Sequence, residues 1–413
     1  MSRNILSLIY FLGTTFLLLP QEAFADDVNL GGSFRFSDFL TATGPDNKIG
    51  QWLDGRLRLT ADGEFGDILG FEAHWVNGFG HFSKNRDKLT AAQTSSSPAN
   101  RLFIDSTVGR YLNGKPWAEN ESFSAQTEID RLNVKWYLPW MDITLGRQAI
   151  TLGTAYFWNP LDVFQPFSST SIDRDYKSGV DALRIDVPIS DFWTFTSIYG
   201  PGSTGSVSPH HAHSLVRVYG SAGGVDMTAE VSYEREHALQ AGGSITGEVF
   251  DLQIRFEGLW QQLEFAPETS KTLGFRQLQG ATVVMGVGRQ IVDTLSIQME
   301  HLYTGILNDL NLLQGFAILA NGFSRQASPH VTALLISYQL HPLIQTSMAT
   351  LFAWQDYSVL LQGGVTWSLF SEMDVVLSGI WSEGKAMTGD LPTPQSELGS
   401  YPKMLFIQGK IYF

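Results

Sequence analysis

The sequence predicts an all-β fold: a transmembrane, antiparallel, up-and-down β-barrel of about 18 strands with short turns at one end and longer loops at the other. Three observations carry this. Beyond the first 25 residues there is no sustained 3.6-residue apolar stripe, but segments of about ten residues that alternate apolar and polar and are separated by turn residues. Aromatic residues reach 12%, with 40 glycines and no cysteine. The chain ends in "MLFIQGKIYF", in which Leu405, Ile407, Gly409, Ile411 and Phe413 share one face and Phe406, Gln408, Lys410 and Tyr412 the other.

The first element is not part of the barrel. Residues 1–25 read as a cleaved secretory signal: Arg3 precedes the apolar run "ILSLIYFLGTTFLLLP", and Ala23-Phe24-Ala25 has the A-x-A form of a cleavage site. The run is shorter than the ~20 residues of a spanning helix. Residues 26–413 are then one barrel domain. Without cysteine there are no disulfides, thiolate metal sites, cysteine nucleophile or lipidated N-terminal Cys. A formal net charge of −14 with no basic stripe excludes nucleic acid as a partner.

Eight short turns punctuate the chain: "ADGEFGD" (61–67), "LPWMD" (138–142), "VPISD" (187–191), "SAGGVD" (221–226), "GEVFD" (247–251), "GRQIVD" (288–293), "QLHPL" (339–343) and "LFSEMD" (369–374). Eight turns joining strand pairs, plus a first strand at 28–38 and a last at 403–413, give about 18 strands, an even number, with all the short turns on one side. Alternation sorts the faces. Leu57 and Leu59 oppose Arg56, Arg58 and Thr60; Leu132, Val134 and Trp136 oppose Arg131, Asn133 and Lys135; Leu183, Ile185 and Val187 oppose Arg184 and Asp186. Likewise Met227, Ala229, Val231 and Tyr233 oppose Thr228, Glu230, Ser232 and Glu234, and Leu252, Ile254 and Phe256 oppose Arg255 and Glu257. The apolar faces are assigned to lipid and the polar faces to a lumen. Trp75, Trp136, Trp140, Trp193, Trp260, Trp367 and Trp381 fall mostly near strand ends, as interfacial aromatic girdles require.

Such a barrel is too wide for wall side chains to fill, and no plug domain precedes strand 1. The stretch "GRQAITLGTAYFWNPLDVFQPFSSTSIDRDYKSGVDALRID" (146–186) supplies a restriction. It lies between a fifth strand (141–152) and a sixth (179–189), and its rings and prolines suit a loop that anchors itself to the wall. The candidate constriction residues are Phe157, Trp158, Asp162, Phe164, Phe167, Asp173, Arg174, Asp175, Tyr176 and Lys177. Ile143 and Leu145 share one parity and Ile150 and Leu152 the other, so a β-bulge at Gly146 is expected, turning Arg147 into the lumen with Ala149 and Thr151.

The terminal Phe413 resembles the insertion signal of Gram-negative outer-membrane proteins, and the inward third loop resembles that of porins. "GRQAITLG" followed by "GVDALRID" resembles the alginate-export-type family of 18-stranded outer-membrane channels. That resemblance implies Arg147, Gln148, Asp181 and Arg184 around the conductive path. The lumen wall is read as Arg35, Arg56, Arg58, Arg131, Lys135, Arg147, Asp181, Arg184, Arg217, Glu230, Arg255 and Glu257, with bases mostly in the first half and acids, including Glu234 and Glu300, afterwards. A divided wall of this kind favours oriented passage of small polar or zwitterionic solutes over threading of one polyanion.

The expected partners are outer-membrane lipid, the outer-membrane assembly machinery and small polar or charged solutes; monomer and homotrimer both stay open. No cofactor is expected. No G-x-S-x-G or H-E-x-x-H spacing supports an enzyme. His210, His211 and His213 in "SPHHAHS" have a donor chemistry that suits Zn²⁺ or Cu²⁺, but a solvated outer loop is the plainer reading. Alternatives are a barrel sheath around a partner such as an electron-conduit cytochrome, and a polysaccharide export channel. Loop 80–123 is read as exposed, and the apolar loop 303–329 as packing against its neighbours or gating the mouth.

Overall fold

The computed structural model describes residues 27–43, 48–82, 116–120, 123–164, 166–167, 169, 175–201, 212–234, 238–265, 270, 274–320, 322–385 and 394–413. The signal segment, most of loop 80–123, His210, His211, Asp173 and Arg174 lie outside them.

Eighteen long strands form the wall. In chain order they are β1 (Asp27–Thr43), β2 (Lys48–Phe65), β3 (Leu69–Phe82), β4 (Phe123–Leu138), β5 (Met141–Gln148), β6 (Val180–Ser190), β7 (Trp193–Gly200), β8 (His213–Ala222) and β9 (Val225–Glu234). They continue as β10 (Ala238–Val249), β11 (Leu252–Glu264), β12 (Gln277–Val292), β13 (Leu295–Thr304), β14 (His330–His341), β15 (Ile344–Ala353), β16 (Val359–Phe370), β17 (Met373–Glu383) and β18 (Lys403–Tyr412). Each pairs antiparallel with its chain neighbours, and β1 closes on β18 from Ser33↔Tyr412 to Ala42↔Lys403. Phe413 completes the seam: the Gly32 N–H donates to its carbonyl at 2.7 Å and its own N–H donates to the Gly32 carbonyl at 3.1 Å. Closure pairs the first strand with the last, so the sheet does not end in two open edges. Among the described residues no helix is long and apolar enough to cross a membrane.

The tight turns sit where the sequence places them. Gly223 (φ 60°) and Gly224 (φ 80°) close the β8–β9 hairpin, and Phe250 (φ 51°) and Asp251 (φ 61°) close β10–β11 in the same left-handed geometry, which matches strand twist. The two faces sort as alternation requires. Leu132, Leu145, Val231, Ile254, Phe256, Leu405 and Ile407 are exposed on the outside, whereas Arg131, Thr144, Glu230, Glu257, Phe406 and Gln408 point inward and are buried. Trp140, Trp260, Trp367 and Trp381 are exposed on the outer surface.

Two departures from a regular wall lie together. Between His74 and Trp75 of β3 the pairing with β4 shifts by one residue, so Asp130 and Arg131 both turn inward and are buried. Beyond it, β5 reaches only Arg147 opposite Leu132, and farther along that flank of β4 the short strand Pro116–Asn120 pairs with Phe123–Gln126. The bulge expected at Gly146 is not there. Gly146 pairs in unbroken register with Asn133 and Ala182. Its φ of 119°, with a hypothetical Cβ only 2.2 Å from the Leu132 carbonyl, re-aims the chain instead. The strand then stops at Gln148 rather than 152, so Ala149 and Thr151 belong to the loop and not to a lumen-facing strand.

Candidate functional site

The inward loop, residues 149–179, starts from this re-aimed strand end. Arg147 makes a two-pronged pair with Asp181, Nε to Oδ1 at 2.8 Å and a terminal nitrogen to Oδ2 at 2.9 Å, and donates to the Ile129 carbonyl at 2.5 Å. Gln148 donates to the Ala182 carbonyl at 3.1 Å. Arg147, only 2% exposed, therefore locks the gap where the chain leaves the wall and does not face the path.

The outgoing leg follows the inner wall. Ile150, Leu152 and Phe164 pack with Val180, Ala182, Ile198 and Leu215, inward residues of β6–β8. Further along, two wall carboxylates accept its backbone amides. Glu257 of β11 takes the N–H of Thr154 and of Leu161, both at 2.8 Å; Glu300 of β13 takes those of Tyr156 at 2.5 Å and Phe157 at 2.7 Å. Phe157 and Trp158 then enter a large apolar cluster with Phe39, Leu302, Val331, Leu351, Leu360, Leu398 and Phe406.

The returning leg meets the opposite arc. One carboxylate oxygen of Asp175 accepts from Arg35 at 3.1 Å, Lys410 at 2.8 Å and Tyr412 at 3.2 Å. Partial burial opposes ionisation of Asp175, but Lys410 and Arg35 outweigh it and hold the carboxyl below its usual range. The Tyr176 ring lies 4.9 Å from the Arg35 guanidinium and 4.1 Å from that of Arg58. Lys177 pairs with the buried Asp162, lies 5.9 Å from the Phe167 ring, and accepts Arg131 on its carbonyl. Burial pulls the Lys177 ammonium down from its ordinary pKa, and Asp162 partly restores it.

The remaining wall bases point inward with their own partners. Arg58 and Arg131 share Asp130 at 2.6 and 3.0 Å; Arg56 pairs with Asp54 at 3.4 Å, Lys135 with Asp142 at 3.4 Å and Arg184 with Asp186 at 2.7 Å. Arg217 stands opposite Glu230 and donates to Thr228 at 3.2 Å. Arg255 donates to Gln298 at 3.2 Å and Gln253 at 2.8 Å. Arg56, Lys135 and Arg184 keep 36%, 37% and 29% of their side chains open. The acids do not form the expected open half-wall. Glu230, Glu257 and Glu300 are each under 5% exposed; loop amides supply the donors that Glu257 and Glu300 need, whereas Glu230 stands opposite Arg217 on the neighbouring strand.

Two outer segments reach the inward loop. In 305–329, a 3₁₀ turn (Gly305–Leu307) and helix α1 (Leu312–Ala320) bury Ile306, Leu307 and Ile318 against Ala238, Leu263 and Phe265 at the outer ends of β10 and β11. Arg325 then donates to the Asp162 carbonyl at 2.9 Å. Gln326 donates to Glu397 at 2.6 Å and accepts from Ser169 and Trp158, each at 2.9 Å. Glu397 also accepts the Ala327 N–H at 2.7 Å, and its own N–H donates to Asp356 at 2.5 Å. So 305–329 packs on its neighbours, but on the inward loop as well as on the rim.

His213 is no outer-loop ligand: it opens β8, buried, its ring 5.0 Å from Phe164. Among the described residues no group of three side chains is placed to hold a metal. Sequence reading missed the carboxylate anchors, Asp130 and the Gln326–Glu397 contact. Only Asp130 left a trace, as adjacent charges in "EIDRLNVKW" that break the alternation.

No family model matches the chain, and no curated protein matches it. Its fold is similar to solved structures. Acinetobacter baumannii OccAB1 superposes with a TM-score of 0.62 at 10% identity, covering 95% of this chain and 98% of that one. Pseudomonas aeruginosa OccK2 (OpdF), solved in complex with glucuronate, gives 0.60 at 8% identity, covering 95% and 99%. Pseudomonas aeruginosa OccK5 (OpdH) gives 0.57 at 8%, with the same coverage. The likeness shows the fold, a closed 18-strand antiparallel barrel.

Proposed function

We propose that the protein is a porin-like channel of the Gram-negative outer membrane, passing small polar or charged solutes by passive diffusion, and not an enzyme. The observation that carries this is the inward loop. A wall of eighteen strands is wide enough for an aqueous channel, and the loop is held against both arcs of its inner face, by Glu257 and Glu300 on one and by Arg35 and Lys410 on the other. The bases left partly open, Arg56, Lys135 and Arg184, favour solutes carrying negative charge. Glucuronate, the ligand seen in the OccK2 structure, is a rational first solute to test. The sheath reading is weaker, since the loop and its apolar partners occupy space a cytochrome would need.

The test is conductance in planar bilayers. Wild-type protein is expected to give small, steady single-channel currents, and deletion of 157–176 to raise them several-fold. Equal conductance in the two would remove the loop from the pore.

A further inference from the structure

We infer that Glu257 and Glu300 are positioning residues: they fix the path of the inward loop and so set the width of the pore, and they are not charges that a passing solute meets. The inference rests on the channel reading above. Four consecutive-region amides, those of Thr154, Tyr156, Phe157 and Leu161, have no regular secondary structure to satisfy them, and each meets one carboxylate oxygen at 2.5–2.8 Å. Both acids are almost fully buried, and without those amides each would be a stranded charge. The wall is shaped to receive the loop. A Cβ at Gly242 would sit 2.7 Å from a methyl of Leu161, and one at Gly153 would sit 2.9 Å from both Glu257 oxygens. Glutamine cannot replace either acid here. Its carboxamide offers one acceptor, and its NH₂ would face a backbone N–H across the second contact.

The experiment compares Glu257→Gln, Glu300→Gln and the double variant with wild type in planar bilayers, reading conductance, current noise and reversal potential. Loop-release events are expected to become about tenfold more frequent, the change that one lost charge-assisted hydrogen bond allows. Mean conductance should rise toward that of the 157–176 deletion, with the reversal potential unmoved. Folded variants with wild-type conductance and noise would overturn the inference. So would a shifted reversal potential without a rise in conductance, because the acids would then be facing solute. A variant that fails to fold is remade in the 157–176 deletion. Folding there places the defect in the loop and supports the inference; failure there means the acids serve the wall and overturns it. Wild-type protein that carries no current would instead refute the channel reading itself.

Discussion

Asp175 gathers three partners from the wall onto one carboxylate oxygen. Its Oδ2 holds a guanidinium, an ammonium and a phenol, all from β1 and β18. With its pKa below the usual carboxylate value, the tether is present above that value and is lost only as pH falls through the lower folded one. Between about pH 5 and 8 the tether should therefore not titrate. Asp175→Asn removes the counter-charge of Arg35 and Lys410 and should move the reversal potential toward anion selectivity in a salt gradient. An unmoved reversal potential would mean that these two cations do not sense the permeating ions. The residue was legible as a charge in the loop; its three partners were not, because they lie 140, 235 and 237 positions away along the chain.

At the scale of elements, the turn from β5 into the loop depends on Gly146. Its left-handed φ, and a hypothetical Cβ 2.2 Å from a backbone oxygen, leave no room for another side chain. Gly146→Ala should destabilise the barrel by about 1–3 kcal/mol, read as an earlier midpoint in urea unfolding of detergent-refolded protein. An unchanged midpoint would show that the strand end relaxes freely. The phase change in apolar parity around this glycine was visible in the sequence, but its cause was misread. A period-2 pattern reports that the faces exchange; it cannot separate an inserted residue from a single glycine at an unusual angle. The true bulge, at Asp130, left only the adjacent charges Asp130-Arg131 as its mark, in a run whose neighbours still alternate.

Across the whole molecule, the inward loop is joined to the outer loops through Glu397. Burial, helped by the nearby Asp356, raises its pKa to about 7 against the Ser328 hydroxyl and the N–H of Ala327. A carboxyl with a raised folded pKa binds more protons when folded. Its contribution is full below the ordinary value of 4.5 and is lost as pH rises through about 7. The outer segments should therefore resist protease better at pH 5 than at pH 8, and Glu397→Gln, permanently neutral, should remove that difference. Equal resistance of the wild type at both values would contradict this coupling.

The sequence by itself determined the wall: the strand number, the end that carries the short turns, the faces given to lipid and lumen, and the position of the long insert. These are local properties, set by period-2 alternation and by turn chemistry within a few residues. Tertiary structure alone decided where the insert goes and what it covers. Glu257 and Glu300 read as lumen charges because alternation reports only the inward direction. The closed wall brings amides 96 to 144 positions away onto their carboxylates, and a buried carboxylate becomes an anchor wherever donors reach it.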